Sequence, residues 1–135
     1  MNGSGFAVAA IRVLIVDDVV ELADAFASAL EEHGVEIVGK ANNGAEAVSM
    51  TKALKPNVVL MDVRMPVMDG IRAARAISRS GSDAKILMLT AFEDASLIDE
   101  AMEAGAAGYL VKGTLITDTV RAIEAVMQRA RGTVA

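Results

Sequence analysis

The sequence predicts an α/β domain with a doubly wound, five-stranded parallel sheet in the order 2-1-3-4-5 and helices on both faces. Short apolar runs alternate regularly with segments of helical periodicity, which is typical of strand–helix units joined by right-handed crossovers. The runs are nearly continuous in apolar residues, as strands buried on both faces are. At 135 residues the chain is long enough for one such domain, and 2-1-3-4-5 is a common strand order at this size.

The first strand is predicted over residues 11–16, an apolar run that ends in two aspartates. The helix after it carries Leu22, Phe26 and Leu30 at intervals of four residues, which places them on one face. Gly34 marks the end of that helix, because glycine readily adopts the left-handed conformation common at helix ends.

A short second strand over residues 37–41 leads into the second helix. Asn43 and Glu46 have the spacing of a capping box, which predicts where this helix starts. The helix ends before Pro56, since the residue that precedes a proline disfavours helical geometry. The third strand, over residues 58–61, then runs into another aspartate.

The third helix opens at Asp69 and is broken by Gly81, and the fourth strand covers residues 85–89. A fourth helix is predicted from near Asp94 to Gly105. The fifth strand and the last helix complete the pattern, the strand at residues 107–111 and the helix with an apolar face formed by Ile116, Val120, Ile123 and Met127.

The composition excludes several classes of protein. Hydrophobic residues make up 53% of the chain but aromatic residues only 3%, which predicts an aliphatic core. The net charge of −5 argues against a direct nucleic-acid surface, because such surfaces are basic. The absence of cysteine rules out disulfides, zinc–thiolate sites and thiol catalysis.

We expect residues 1–10 to be a tail or disordered, residues 11–130 to form the domain, and residues 131–135 to be a tail or the start of a linker. No apolar run reaches the ~18 residues of a membrane span. The first residues lack the basic start and apolar core of a signal peptide. A cytoplasmic location is therefore expected.

A second pattern concerns the residues that follow the predicted strands. Four strands end in residues suited to metal or phosphate chemistry, namely Asp17 with Asp18, Asp62, Thr90 and Lys112. In a parallel sheet these ends lie along the edge where ligands bind, and in the predicted order the first and third strands are neighbours. We therefore expect three carboxylates, a hydroxyl and an ammonium group in one cluster.

Three crowded carboxylates must bind a cation or hold a proton, because two unit charges ~4 Å apart repel by roughly 4 kcal/mol at an effective dielectric constant near 20. With only oxygen ligands, Mg²⁺ is the expected cation. A lysine that neutralises charge and a hydroxyl that donates to a phosphoryl oxygen complete the parts needed for phosphoryl transfer to a carboxylate.

Each of these residues also has a purely structural interpretation. Asp18 with Glu21 fits a capping box for the first helix, and Asp62 fits the cap of a turn. Thr90 favours strands, and Lys112 is an ordinary solvated charge. Their coincidence at four strand ends favours the functional interpretation.

Four motifs that contain these residues occur in order: VLIVDD at 13–18, LMDVRMPVMDG at 60–70, LTA at 89–91 and GAAGYLVK at 105–112. Together they resemble the receiver domain of bacterial two-component response regulators over about residues 11–130. The stretch at 62–70 is the most specific part. The similarity is greatest to regulators with a C-terminal helix-turn-helix output domain, and it implies a flavodoxin-like (CheY-like) fold.

The resemblance implies a phosphorylation-activated signalling switch with a sensor histidine kinase as partner and Mg²⁺ as cofactor. The kinase would transfer a phosphoryl group to Asp62. Asp18 and Asp62 would bind Mg²⁺ directly, Asp17 would help, often through water, and the backbone carbonyl of Arg64 would complete the protein ligands. The domain would catalyse only its own phosphotransfer and autodephosphorylation, and would not otherwise be an enzyme.

The resemblance also implies how the signal is read. Lys112 would pair with Asp62 before transfer and with the phosphoryl group afterwards. Thr90 would hydrogen-bond a phosphoryl oxygen, and Tyr109 would swing from an exposed to a buried rotamer. The surface of the fourth helix, fifth strand and last helix would then control an output, expected to be transcription. The resemblance allows a phosphorylation-dependent homodimer. It implies that DNA is contacted only through an output domain absent from this chain. It implies no contact with a membrane.

Some positions depart from the family pattern or lie where the family varies. Val19 replaces a polar residue often found after the acidic pair, without removing a ligand. Gly113 stands where the family commonly has a proline after a cis peptide bond. Because a cis bond before a non-proline residue costs about 2.5–4 kcal/mol, we expect a trans bond between Lys112 and Gly113 and a looser loop there. Arg64 and Phe92 lie where the family tunes dephosphorylation.

Three alternatives fit the residues less well. A haloacid-dehalogenase-like phosphatase needs a second aspartate two residues after its nucleophile, but Val19 follows Asp17 and Arg64 follows Asp62 at that distance. An interaction module with an inactive site would lack one of the acids or the lysine. An FMN carrier needs a phosphate-binding loop after the first strand, where the two carboxylates of this chain would repel the phosphate.

The output is open on sequence alone. Residues 129–133 fit the beginning of a linker to a missing output domain, so we favour a truncated regulator. The alternative is a stand-alone receiver that acts through protein–protein contacts.

Overall fold

The computed structural model describes residues 11–91 and 96–131, which form five strands and five helices in alternation. The strands are β1 (Arg12–Val16), β2 (Glu36–Ala41), β3 (Val58–Asp62), β4 (Lys85–Thr90) and β5 (Gly108–Val111). The helices are α1 (Val20–Glu32), α2 (Gly44–Leu54), α3 (Gly70–Arg79), α4 (Ile98–Glu103) and α5 (Ile116–Arg131). The tail predicted at residues 1–10, the helix start predicted near Asp94 and residues 132–135 of the tail predicted at 131–135 lie outside the described residues, while Arg131 belongs to α5.

The five strands are parallel and lie in the order β2-β1-β3-β4-β5, which confirms the predicted sheet. Val16 at the end of β1 pairs with Met61 of β3. Thr90 at the end of β4 pairs with Val111 of β5. The residues that follow these strands therefore emerge together at the carboxyl edge of the sheet.

Helices cover both faces of the sheet, because alternate side chains of a strand point to opposite sides. On one face, Met88 of β4 packs in a cluster with Ile77 of α3. On the other face, Leu60 of β3 packs with Leu30 of α1 and Ile123 of α5. β3 is buried at all of its positions, so its last residue is held by the core on both sides.

The ends of α2 agree with the sequence pattern. Asn43 Oδ1 accepts the N–H of Glu46 at 2.9 Å, and Glu46 Oε1 accepts the N–H of Asn42 at 2.8 Å. The second bond reaches the residue before the cap, one position earlier than in the usual capping box. The helix ends at Leu54, ahead of Pro56, as predicted.

The apolar face predicted for α1 is only partly buried. Leu30 is buried, but Leu22 is 56% exposed. Ala23 and Ala27 occupy the inner positions above Leu30. Residues four apart rotate by about 40° per step around a helix, so two such steps place Leu22 about 80° away from Leu30.

The apolar face of α5 agrees with its prediction. Ile123 is buried, and Ile116, Val120 and Met127 are partly buried against the same cluster. None of the helices in the described ranges is both long enough and apolar enough to cross a bilayer.

Candidate functional site

Three carboxylates meet at the carboxyl edge of the sheet. Asp17 and Asp18 follow β1, and Asp62 ends β3, the strand that pairs with β1. One oxygen atom of each side chain lies within 4.8 Å of the others. Asp62 is 1% exposed, Asp17 is half-buried and Asp18 is exposed. The cluster is thus anchored in the core at Asp62 and open to solvent at Asp18.

Asp17, and not Asp18, supports the start of α1. Asp17 Oδ1 accepts the N–H of Val19 at 2.9 Å. Val19 occupies the N-cap position and provides no side-chain cap. The capping box proposed for Asp18 and Glu21 is therefore wrong, and within the described residues the Asp18 carboxylate has no hydrogen bond or ion pair.

Asp62 has one partnered and one unpartnered oxygen. Lys112 Nζ donates to Oδ2 at 3.2 Å, while Oδ1 is buried with no hydrogen-bond partner among the described residues. Burial raises the pKa of Asp62 from 3.8 to about 7, and the negative charge of Asp17 adds to this effect. The positive charge of Lys112 acts in the opposite direction. The carboxyl group therefore needs a positive ligand to be fully ionised at neutral pH.

The donor set fits a magnesium ion. Mg²⁺ prefers oxygen ligands and is usually held by one or two carboxylates together with water or phosphate oxygens. The cluster offers three carboxylates, one of them with a buried oxygen that lacks a partner. A cation at this point would relieve the repulsion that raises the pKa of Asp62.

The loop from Asp62 to α3 is held tightly against the sheet. The N–H of Val63 donates to the carbonyl of Leu89 at 3.2 Å, and the carbonyl of Val63 accepts the N–H of Gly70 at 2.7 Å. A Cβ atom on Gly70 would overlap the carbonyl oxygen of Asp62, so only glycine fits there. Arg64, the predicted carbonyl ligand, lies in this loop two residues after Asp62.

The same loop contains a strained residue that no sequence pattern predicted. Val67 has a positive φ of 69° and is 77% exposed. The N–H of Met68 donates to the carbonyl of Pro66 at 2.7 Å, so Val67 is the central residue of a three-residue turn. Positive φ is costly for a β-branched side chain.

Thr90 and Lys112 are joined through the backbone. The N–H of Lys112 donates to the carbonyl of Thr90 at 2.9 Å, which holds the ends of β4 and β5 together. Thr90 is 3% exposed, and its hydroxyl donates to the carbonyl of Ala91 at 3.2 Å. Tyr109 on β5 is 46% exposed. Phe92 lies outside the described residues.

The peptide bonds of the described residues are trans, and the Lys112–Gly113 bond is trans as expected. Gly113 has a φ of +94°, a conformation that glycine adopts at little cost. Lys112 nevertheless reaches Asp62, so the trans bond does not prevent their pairing.

An apolar groove opens beside Asp62. It has a volume of about 380 Å³ and lies between α1 and the segment from β5 to α5. Leu22 and Phe26 line one side, Val111 and Thr114 the other, and Asp62 contributes to the lining. The sequence placed Leu22 on the same face of α1 as Phe26 and Leu30; in the structure Leu22 is exposed and lines this groove.

The chain is similar to proteins of one family across most of its length. The family model of the response regulator receiver domain matches residues 13–124. The transcriptional regulatory protein PdtaR of Mycobacterium tuberculosis is 46% identical over 120 residues, which are 89% of this chain and 58% of that protein. Curated relatives of this kind are longer, and the chain spans only 52–58% of the length of the first ones matched.

Solved structures agree with the sequence match. The receiver domain of the response regulator NarL from Mycobacterium tuberculosis has a TM-score of 0.80 and 34% identity, with 90% of this chain and 97% of that chain covered. The CheX–CheY complex with BeF₃ and Mg²⁺ from Borrelia burgdorferi has a TM-score of 0.80 and 28% identity, with 87% and 89% covered. The family match spans Asp17, Asp18 and Asp62, and this chain accordingly belongs to the response regulator receiver family, a phosphorylation-controlled signalling domain that is not an enzyme.

Proposed function

We propose that Asp62 accepts a phosphoryl group from a phosphohistidine of a sensor histidine kinase. The observation that supports this most is the unpartnered Oδ1 of Asp62, a buried carboxylate oxygen beside two further carboxylates and one lysine. A buried polar atom without a partner is costly unless a ligand completes it. A phosphoryl group bonded to this oxygen and a cation beside it would do so.

Asp18, Asp62 and the backbone carbonyl of Arg64 would hold Mg²⁺, with Asp17 helping through water. When bound, Mg²⁺ neutralises negative charge on the phosphoryl oxygens. Asp17 keeps its place through its hydrogen bond to the N–H of Val19. Asp18 has no such role in the helix start, so its carboxylate is free to act as a ligand.

In the transfer step, a carboxylate oxygen of Asp62 forms a bond to phosphorus while the bond from phosphorus to the histidine nitrogen breaks. The imidazole leaves with the electron pair of that bond and takes up a proton. Lys112, at 3.2 Å from Oδ2 of Asp62, opposes protonation of the carboxylate before transfer. After transfer its ammonium group would pair with a phosphoryl oxygen.

Thr90 and Tyr109 are proposed to read the phosphoryl group. The Thr90 hydroxyl now donates to Ala91, and on phosphorylation it would donate to a phosphoryl oxygen and draw this loop inward. Tyr109 is exposed here, in the state expected before activation. Its inward movement would change the surface of α4, β5 and α5, through which a phosphorylation-dependent homodimer would form.

The apolar groove beside Asp62 is proposed as the place where a helix of the kinase docks. A helix that carries a phosphohistidine must present it to Asp62 while it packs against an adjoining surface. Leu22 and Phe26 of α1 provide such a surface, and the groove they line reaches Asp62 itself. Amphipathic helices commonly bind in apolar grooves of this kind.

We propose that the output is control of transcription, supported by the names of relatives such as PdtaR. DNA would be contacted by a segment beyond this chain, because the chain spans little more than half of such relatives and its net charge is −5. A receiver that acts through protein contacts alone is the second candidate.

Phosphorylation by a small phosphodonor tests the proposal. The chain is incubated with Mg²⁺ and acetyl phosphate, and phosphate released by hydroxylamine is measured. We expect label on the natural chain and on Asp118→Asn, an exposed aspartate on α5, but none on Asp62→Asn. Equal label on Asp62→Asn would contradict the proposed site.

A further inference from the structure

A second cavity lies at the amino edge of the sheet, opposite the carboxyl edge that carries Asp62. Its volume is about 530 Å³. The cavity is open to solvent and is lined by the end of α2, the segment that precedes β3, the segment from α3 to β4, and Met127 of α5. Cavities of this size commonly hold small organic ligands.

The walls of this cavity are basic, although the chain as a whole is acidic. Lys52, Lys55 and Lys85 line it, three of the five lysines in a chain whose net charge is −5. None of the three forms an ion pair within the described residues. Asp83 is the acidic residue in the lining. The charged groups named at the two edges thus differ in balance, with carboxylates in excess around Asp62 and ammonium groups in excess around this cavity.

A buried hydroxyl in the lining lacks a partner. Thr51 is 3% exposed, and its Oγ1 has no hydrogen-bond partner among the described residues. The two serines in the lining differ, because Ser80 Oγ donates to the carbonyl of Ile77 at 2.6 Å and Ser82 Oγ accepts the N–H of Ala84 at 3.1 Å. A buried hydroxyl normally has a partner, so Thr51 leaves one donor in the wall of the cavity without a partner among the described residues.

We propose that this cavity binds a small organic phosphate. The ammonium groups of lysine bind phosphate as point charges, and three of them line this cavity. Lys52, Lys55 and Lys85 would hold the phosphate. The volume exceeds what a phosphate ion fills, and Pro56 and Met127 offer apolar surface to the organic part. This site is independent of phosphotransfer to Asp62.

NMR titration of the ¹⁵N-labelled chain tests the proposal, with ADP and inorganic phosphate as separate probes. EDTA is present, so that Mg²⁺ does not carry either probe to the acidic cluster. We expect saturable shifts of the backbone amides of Lys52, Asn57 and Lys85, and tighter binding of ADP than of phosphate. Shifts that do not saturate, binding of phosphate as tight as that of ADP, or tighter binding of a short DNA duplex would overturn the proposal.

Matched variants locate the site. The double variant Lys52→Gln/Lys85→Gln should bind ADP at least roughly tenfold more weakly, because each charge-assisted contact to phosphate is lost. Lys40→Gln is the control, since Lys40 lies on β2 and pairs with Asp24 at 2.8 Å. Equal loss of affinity in Lys40→Gln would show general attraction to positive charge and would overturn the assignment.

Thr51→Val separates a ligand contact from a packing role, because the two side chains have the same shape. If Thr51 donates to the ligand, this variant weakens ADP binding while the melting temperature of the free protein stays equal or rises. A change in melting temperature with unaltered ADP affinity would show that Thr51 has a packing role and does not contact the ligand.

Discussion

The Nζ atom of Lys112 lies 3.2 Å from Oδ2 of Asp62, and this pair joins an exposed cation to a fully buried carboxylate. The lysine side chain is 49% exposed and the aspartate side chain 1%. Burial removes water from the charged form of Asp62, whereas the exposed lysine stays hydrated. The pair therefore acts mainly on the pKa of Asp62. Lys112 therefore helps to keep Asp62 ionised despite its burial.

Removal of the lysine charge should raise the pKa of Asp62 further. In Lys112→Met the two effects that lower this pKa, the positive charge and the hydrogen bond, are both lost. Carboxyl ¹³C NMR of the metal-free protein measures the titration of Asp62 directly. We expect the pKa of Asp62 to rise above about 7 in Lys112→Met and to stay unchanged in the control Lys40→Met. A lower pKa in Lys112→Met would contradict the pairing.

The raised pKa of Asp62 predicts how stability depends on pH without metal. Between 3.8 and about 7 the folded state binds this proton more tightly than the unfolded state, so stability falls as pH rises through that range. A shift of about three units corresponds to roughly 4 kcal/mol of unfolding free energy for an isolated group. At pH values above the pKa of Asp62 in the folded protein, this contribution to the unfolding free energy is fully lost.

Urea unfolding in EDTA at about pH 5 and about pH 8 measures this dependence. Asp62→Asn should lose less stability than the natural chain between these two values, because asparagine does not titrate. Asp118→Asn should behave like the natural chain. Parallel profiles for Asp62→Asn and the natural chain would show that Asp62 titrates normally.

Magnesium should bind through Asp18 more than through nearby surface acids. Asp18→Asn removes an exposed carboxylate of the cluster, and we expect Mg²⁺ affinity to fall at least roughly tenfold. Glu21→Gln is the control, because Glu21 lies in the first turn of α1 outside the cluster. Isothermal titration calorimetry above neutral pH gives both affinities. The same loss in both variants would point to general electrostatics instead of a defined site.

Relief of the strain at Val67 should stabilise the protein. Asparagine tolerates the left-handed region far better than valine, so Val67→Asn is expected to raise the unfolding free energy by about 1 kcal/mol. Val20→Asn, an exposed valine at the start of α1, serves as the control and should not stabilise. Urea unfolding measures both. A loss of stability in Val67→Asn would mean that the contacts of the valine side chain stabilise the protein by more than the backbone strain destabilises it.

Much of the fold could be predicted because each feature depends on a short stretch of chain. The continuous apolar runs predict buried parallel strands, and the carboxyl ends of such strands must share one edge. The juxtaposition of Asp17 with Asp62 follows from the pairing of β1 with β3. Asn43 and Pro56 set the limits of α2 through local backbone chemistry alone.

The remaining features depend on contacts between distant residues and could not be predicted. The exposure of Leu22 follows from which face of α1 meets the sheet, and short alanines take the inner positions. The raised pKa of Asp62 needs its complete burial together with a neighbouring carboxylate. The positive φ of Val67 belongs to the turn that the bond from the Met68 N–H to the Pro66 carbonyl closes, a conformation for which valine has no local preference.

Borohydride trapping tests whether Asp62 takes the phosphoryl group, because the reduction marks the phosphorylated residue. The chain is treated with acetyl phosphate and Mg²⁺, reduced with sodium borohydride, and mapped by peptide mass spectrometry, because borohydride converts an aspartyl phosphate into homoserine. We expect homoserine at position 62 and at no other aspartate. Homoserine at Asp17 or Asp18, or at no position after the treatment, would contradict it.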